Sequence, residues 1–351
     1  MATPTLAGIT AQTITTARLS TRLLSCGDAN GTPVIFVHGN VSDATFWEET
    51  MLALPKGYRA YAYDQRGYGE ADPEKKINAT LGLADLADDL AALMDALNVQ
   101  KAHLVGHSAG GSVLWRFMMD YAERVRTVTA VCPGSPYGFG GTKADGTPNF
   151  DDFAGTGAGT VNPTFPPMLA AGERGDGQGT PRWTMRSFYF KPPFVSPREE
   201  DLLSSMLATH IGEQDYPGDF VPSPNWGGVA PGKWGMVNAL SPAYAKDPSN
   251  LYGLDAKPPV LWVRGAADQI VADMSFFDLA TLGKLGMVPN YPGEDVCPPQ
   301  PMIAQTRDVL EKYKASGGDY EEVALDAGHT PYLEAPEAFN SAFHAFLKKH
   351  S

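Results

Sequence analysis

Leu104-Val105-Gly106-His107-Ser108-Ala109-Gly110-Gly111 joins two stretches of opposite periodicity. Lys101 to Val105 is short and mostly apolar, the pattern of a strand buried within a parallel sheet. From Ser112 to Tyr121, Val113, Leu114, Phe117, Met118 and Tyr121 recur at helical spacing. Between them stands Gly-x-Ser-x-Gly, here Gly106 to Gly110. A strand-to-helix turn this sharp forces its central residue into strained backbone angles, and flanking glycines let neighbouring chains pass closely. Such a turn lifts the Ser108 hydroxyl to the carboxyl end of the strand and leaves the Ala109 N–H free at a helix N-terminus.

A chain of 351 residues is long enough for a large core and for one or two domains. With 19% charged and 43% hydrophobic residues, its composition is that of a soluble globular protein. A net charge of −13 disfavours nucleic acid or an anionic membrane as partner and serves solubility. Cys26, Cys132 and Cys297 are an odd number, far apart, with no metal-ligand spacing, and read as buried small hydrophobes. Met1 to Ala17 has neither a basic head nor an apolar run, and no stretch is long enough to span a membrane. A cytoplasmic location is expected.

Outward from the central turn the chain alternates between strands and helices. Thr13 to Ser25 fits one or two antiparallel edge strands. Pro33 to Val37 is an apolar strand ending at His38-Gly39-Asn40, where the N–H of Asn40 can point into a site above the strand end. Asp43 can cap a helix carrying Phe46, Trp47, Met51 and Leu52. Tyr58 to Tyr63 is a strand, and Asp64 to Gly69 reads as a charge-paired turn beneath the site. Leu81 to Leu97 is an amphipathic helix whose Asp85, Asp88 and Asp89 suit its N-terminal dipole. Val125 to Val131 is a further strand.

From Gly134 to about Leu254 the alternation stops, which marks an inserted subdomain. Helices are expected over Pro181–Phe190 and Glu199–Leu207, and most of the insert's aromatic residues are expected to form its own core. Gly155 to Gly159 follows no strand, and Gly227 to Lys233 is followed by Trp234 where a phosphate loop needs Ser or Thr, so nucleotide binding is refused. Alternation resumes with the strand Pro259 to Gly265, helices over Met274–Leu285 and Met302–Tyr313, the strand Tyr320 to Leu325 and a closing helix, Pro336–Lys348.

Ser108, Asp268 and His329 thus follow three strand ends, the edge of an open α/β sheet at which ligands bind. A serine hydroxyl needs a base to take its proton, an imidazole suits that task near neutral pH, and a carboxylate holds the imidazole's tautomer. The order Ser, acid, His along the chain is the one expected when the elbow comes first.

Phe36-Val37-His38-Gly39-Asn40, Asp64 to Gly69, Gly106 to Gly111, Gly265-Ala266-Ala267-Asp268 and Gly328-His329-Thr330-Pro331 together make the sequence resemble the α/β-hydrolase fold superfamily. The resemblance implies an α/β fold with a mostly parallel central sheet flanked by helices. It implies a core of residues 1–133 and 255–351, and a mainly helical or irregular cap, 134–254, inserted after the sixth core strand. By position it makes Ser108 the nucleophile, His329 the base and Asp268 the acid, with the backbone N–H groups of Asn40 and Ala109 as oxyanion hole and with no cofactor or metal. Ala71 stands where many members have Ser, and the interval from Asp268 to His329 is longer than usual. The family's other place for the acid, the end of the sixth strand, reads Val131-Cys132-Pro133-Gly134-Ser135 and holds no carboxylate.

Serine at the elbow excludes the carboxylate chemistry of dehalogenases and epoxide hydrolases of this fold, and Ala109 departs from proline-specific aminopeptidases. The expected activity is hydrolysis of a medium-to-large, apolar ester or lactone, a small-molecule substrate, and the sequence is compatible with a homodimer. Three alternatives stand beside it. A carbon–carbon hydrolase of vinylogous diketo acids would need a cation such as Arg182, Arg186 or Lys191. A perhydrolase or haloperoxidase typically has a smaller cap, and a non-catalytic ligand receptor would usually lack the Ser or the His.

Overall fold

The computed structural model describes residues 4–351. Eight strands form one sheet: β1 (Thr10–Thr15), β2 (Ser20–Gly27), β3 (Thr32–Val37), β4 (Tyr58–Tyr63), β5 (Ala102–His107), β6 (Val125–Val131), β7 (Val260–Gly265) and β8 (Tyr320–Leu325). Their spatial order is β1-β2-β4-β3-β5-β6-β7-β8. The first two pair antiparallel, with Thr13 opposite Arg22, and β2 runs antiparallel to β4. From β4 to β8 every pairing is parallel. This is the α/β-hydrolase fold, and the five strand ends that matter for the site lie along one edge.

Burial explains the assignments. All six residues of β5 are buried, as a central parallel strand requires, whereas β1 lies at the sheet edge and is exposed along most of its length. Helices α1 (Ala84–Ala96) and α2 (Ala109–Tyr121) cover one face of the sheet, and their Leu86, Leu90, Val113 and Phe117 pack with Ile35 and Leu104. In chain order follow α3 (Glu199–Leu207), α4 (Met302–Ala315) and α5 (Pro336–Lys349). Helix α5 seals the other face with Phe339, Phe343 and Phe346, all buried against Phe36 and Trp47. Each such ring removed from water contributes about 2 kcal/mol.

Three expectations are corrected. The helix expected over Met274–Leu285 is only Leu279–Lys284, because Asp278 caps it there through the Ala280 N–H and residues 274–278 fold into turns. Nor do the aromatic residues of the insert close into a core of their own. Leu169, Met185, Tyr189, Phe190, Leu203 and Tyr216 join the same apolar layer as Phe36, Trp47 and Phe343. The span Pro181–Phe190 is a short helix, Pro181–Thr184, running into one π-helical turn, Met185–Tyr189, whereas α3 has the expected bounds. Among the described residues no helix is long and apolar enough to cross a membrane.

Candidate active site

Ser108 sits between β5 and α2 with φ 53° and ψ −120°, the strained geometry of a sharp strand-to-helix turn. Glycine is required close by: a Cβ on Gly110 would lie 2.3 Å from the carbonyl oxygen of Val37 and 2.4 Å from that of His38. The elbow is therefore pressed against the loop that follows β3. Among the described residues neither the Asn40 nor the Ala109 backbone N–H has a hydrogen-bond partner, and both residues line the cavity onto which Ser108 opens.

His329 follows β8 and Asp268 follows β7. The imidazole Nδ1 lies 2.8 Å from Asp268 Oδ2, with both side chains buried. The other carboxylate oxygen, Oδ1, accepts the backbone N–H groups of Ile270 (2.8 Å) and Val271 (3.1 Å). The carboxylate is thus fixed by its own loop before it meets the imidazole. These two loops are in backbone contact, since a Cβ on Gly265 would fall 1.7 Å from the Gly328 carbonyl oxygen. His107 ties the histidine loop to the elbow: its Nε2 donates to the His329 carbonyl at 2.8 Å. Burial first, and then His329, hold the His107 imidazole well below its ordinary range, so it stays neutral.

Beneath the cavity, His38 accepts the Gln65 N–H at Nε2 (2.9 Å) and donates from Nδ1 to Gly39 O (2.8 Å). Burial pushes its pKa down to about 4, while burial and then the charge of Asp43 push Asp64 up to about 7. The turn Asp64 to Gly69 is charge-paired, but its partner lies elsewhere on the chain. Arg66 grips Asp89 bidentately at 2.7 and 2.8 Å, and Arg18 reaches the same carboxylate at 2.7 Å. Asp89 is therefore a buried ion-pair partner, where the sequence had suggested only a favourable place near a helix N-terminus.

Cys132 occupies the end of β6, the other strand end at which an acid can serve the histidine, in place of a carboxylate. Its φ is 44°, and its sulfur lies within 4.8 Å of ligand atoms of Asp268 and His329. Burial, followed by the Asp268 charge, pushes the thiol far above its ordinary range, so it remains protonated. Its closeness to the site had no signal in the spacing of the three cysteines.

Ser108, His329, Asn40 and Ala109 line one cavity of about 330 Å³. Its walls come from the insert (Phe165, Trp183, Phe188, Tyr189, Tyr216) and from the segment after β7 (Ile270, Val271, Phe276, Phe277, Leu279, Leu282). The Phe188 ring stands 5.1 Å from Phe277, edge to face, so the two walls meet. Among the described residues no Lys, Arg, Asp or Glu lines this cavity. Arg182 and Arg186 are bound to Glu199 at 2.7 and 2.5 Å, and Lys191 is paired with Asp326. Gly155, Thr156 and Gly157, from the glycine run refused as a nucleotide loop, form part of the cavity wall.

Comparison with known proteins agrees with this architecture. A family model described as alpha/beta hydrolase fold matches residues 32–173. The protein named "Putative carbamate hydrolase RutD" of Variovorax paradoxus is 36% identical over 106 residues, which is 30% of this chain and 39% of that protein. The chain thus spans about two fifths of the length of this curated relative. Over nearly the whole chain it is similar in structure to carboxylesterase CesB (YbfK) from Bacillus subtilis, with TM-score 0.59 and 17% identity over 97% of this chain and 91% of that one. It is likewise similar to the enol-lactonase from Burkholderia xenovorans LB400, with TM-score 0.58 and 17% identity over 96% and 100% of the two chains. At these identities the two structures share the fold.

Proposed function

We propose that this chain, a protein of the α/β-hydrolase fold, is a serine hydrolase that cleaves a neutral, largely apolar carboxylic ester or lactone. The observation that carries the proposal is the convergence of four groups on one uncharged cavity: Ser108, the Asp268-backed His329 and the unpartnered N–H groups of Asn40 and Ala109. In this reading residues 134–254 act as a cap on the core formed by 1–133 and 255–351.

With Nδ1 committed to Asp268, Nε2 is the imidazole nitrogen left to act as base towards the serine. The Ser108 oxygen attacks the substrate carbonyl carbon as its proton passes to His329 Nε2. The carbonyl oxygen becomes an anion, stabilised by the N–H groups of Asn40 and Ala109 at ~2.7–4 kcal/mol each. Collapse of the tetrahedral species expels the alkoxide, which takes the proton from His329, and leaves an acyl-serine. Water then repeats the sequence and releases the acid. Asp268 stabilises the imidazolium formed in each half.

The uncharged wall favours this reading over carbon–carbon cleavage of diketo acids. A substrate carboxylate buried there would lack a counter-ion, at a cost of several kcal/mol. The deciding experiment is turnover of a panel of p-nitrophenyl esters and lactones, run beside Ser108→Ala. Wild type is expected to be active and the variant to lose a factor of about 10⁶ in turnover. A wild-type protein that ignores every ester and lactone but cleaves a vinylogous diketo acid would overturn the assignment.

A further inference from the structure

We infer that Tyr189, supplied by the insert, is a positioning residue that holds the oxyanion loop and the histidine loop in one arrangement; the inference rests on the serine-hydrolase reading above. Tyr189 ends the single π-helical turn Met185–Tyr189 and is 8% exposed. Isolated π-turns are irregularities that cost helix stability and recur at functional sites. Here the turn delivers both ends of one residue to two separate loops.

The hydroxyl end reaches the loop after β3. It donates to the carbonyl oxygens of Asn40 (3.0 Å) and Val41 (3.2 Å). Val41 has φ 48°, a left-handed conformation that a β-branched residue adopts only under constraint. Such strain persists where surrounding contacts over-determine it. Two other contacts contribute from within the core: the Val41 N–H donates to Asn40 Oδ1 at 3.0 Å, and Tyr68 donates to the same oxygen at 2.6 Å. Tyr189 adds the constraint from above. Its removal lets Val41 relax towards ordinary backbone angles and turns the Asn40–Val41 peptide, which displaces the Asn40 N–H just before it, one of the two oxyanion donors.

The backbone end reaches the histidine loop. The Tyr189 carbonyl accepts the Thr330 N–H (3.1 Å) and the Thr330 hydroxyl (2.9 Å), directly after His329. Two residues on, the Lys191 N–H donates to Glu334, whose carboxylate also receives the N–H groups of Gly328 and Thr330. The insert therefore braces the residues on both sides of His329. A cap that lifts away releases donor and base together, so catalytic competence requires a seated cap.

Tyr189→Phe keeps the ring and removes only the hydroxyl. With p-nitrophenyl butyrate, kcat is expected to fall about tenfold, less than the 10²–10³ that follows outright loss of an oxyanion donor. KM should stay within about twofold, and affinity for a boronic acid that forms a tetrahedral adduct on Ser108 should fall by the same factor as kcat. Amide hydrogen exchange should quicken in residues 38–46 while residues 102–121 keep their protection. Unchanged kcat and boronate affinity, or a loss confined to KM, overturn the inference. If wild type neither hydrolyses esters nor binds the boronate, the serine-hydrolase reading fails instead. Exchange then decides the bracing role alone, and unaltered protection in residues 38–46 refutes it.

Discussion

Replacing Asp268 by Asn tests how the acid works, because the structure dictates which way the amide must face. Asp268 Oδ1 accepts two backbone N–H groups, those of Ile270 and Val271, while Oδ2 meets His329 Nδ1. An asparagine that turned its NH₂ towards those two donors would leave both unsatisfied in a buried place, at about 1–3 kcal/mol each. The favoured orientation keeps the amide oxygen on the loop and aims the NH₂ at His329. Nδ1 must then accept, the ring proton moves to Nε2, and the imidazole can no longer take a proton from Ser108. Tautomer inversion of this kind typically removes a factor of about 10⁴ in kcat, equivalent to about 5.5 kcal/mol of barrier. Steady-state hydrolysis of p-nitrophenyl butyrate near neutral pH, with Ser108→Ala as the blank, gives the number. Asp268→Asn activity within tenfold of wild type would refute the assignment of Asp268 as the group that sets the tautomer.

Two further predictions concern stability. Glu48 is fully buried and accepts from Arg198 of the insert at 2.8 Å and from the Leu6 N–H at 3.1 Å. Arg198→Ala leaves that carboxylate with Arg22, 4.0 Å away, as a remaining cation and should cost about 2 kcal/mol, or about 3 °C in melting temperature for a chain of this length, with part recovered by adding Glu48→Gln; an unmoved transition would show that the pair contributes nothing. His103 in β5 is buried beside Thr127, and burial, with Arg126 and His350 as lesser contributors, brings its pKa down to about 4. Unfolded, the imidazole takes a proton below about pH 6.5, so between those values the unfolded chain binds the extra proton and stability falls as pH falls. Urea unfolding of wild type and His103→Gln across this range should show the stability difference between them change by about 3 kcal/mol, whereas a constant difference would exclude His103 as a source of acid sensitivity.

The sheet and the residues at its edge are legible in the sequence because local chemistry dictates them. The run into β5 is mostly apolar, the turn at Ser108 must be flanked by small residues, and Asp268 and His329 each follow a β-rich run. Features set by distant contacts leave no such mark. Tyr189 meets Asn40 across 149 residues and Thr330 across 141, and nothing in the pattern of Met185 to Tyr189 announces either contact. Asp89 reads in the sequence as one of three aspartates near a helix start, and only the approach of Arg18 and Arg66 shows it to be a buried ion-pair partner. The apolar run Met274 to Leu285 has helical periodicity in part, yet Phe276 and Phe277 turn towards the cavity, and Asp278 starts the helix late. The insert's aromatic residues imply burial without naming the surface they bury against. For Tyr189, Phe190 and Tyr216 that surface is the core itself.

The cavity owes its roof to two stretches of chain that enter from opposite sides of β7. One belongs to the insert, the other to the excursion that begins at Ile270, and they meet where Phe188 stands against Phe277 and where Trp226 donates to the Pro289 carbonyl. Neither stretch is a free module. An insert grafted from a relative would confront a wall shaped for Phe188 and Trp226, leaving a gap or a collision at that seam. New substrate ranges on this scaffold are therefore expected to arise by paired exchange, with residues 134–254 and 270–291 inherited as a unit although β7 separates them in the chain.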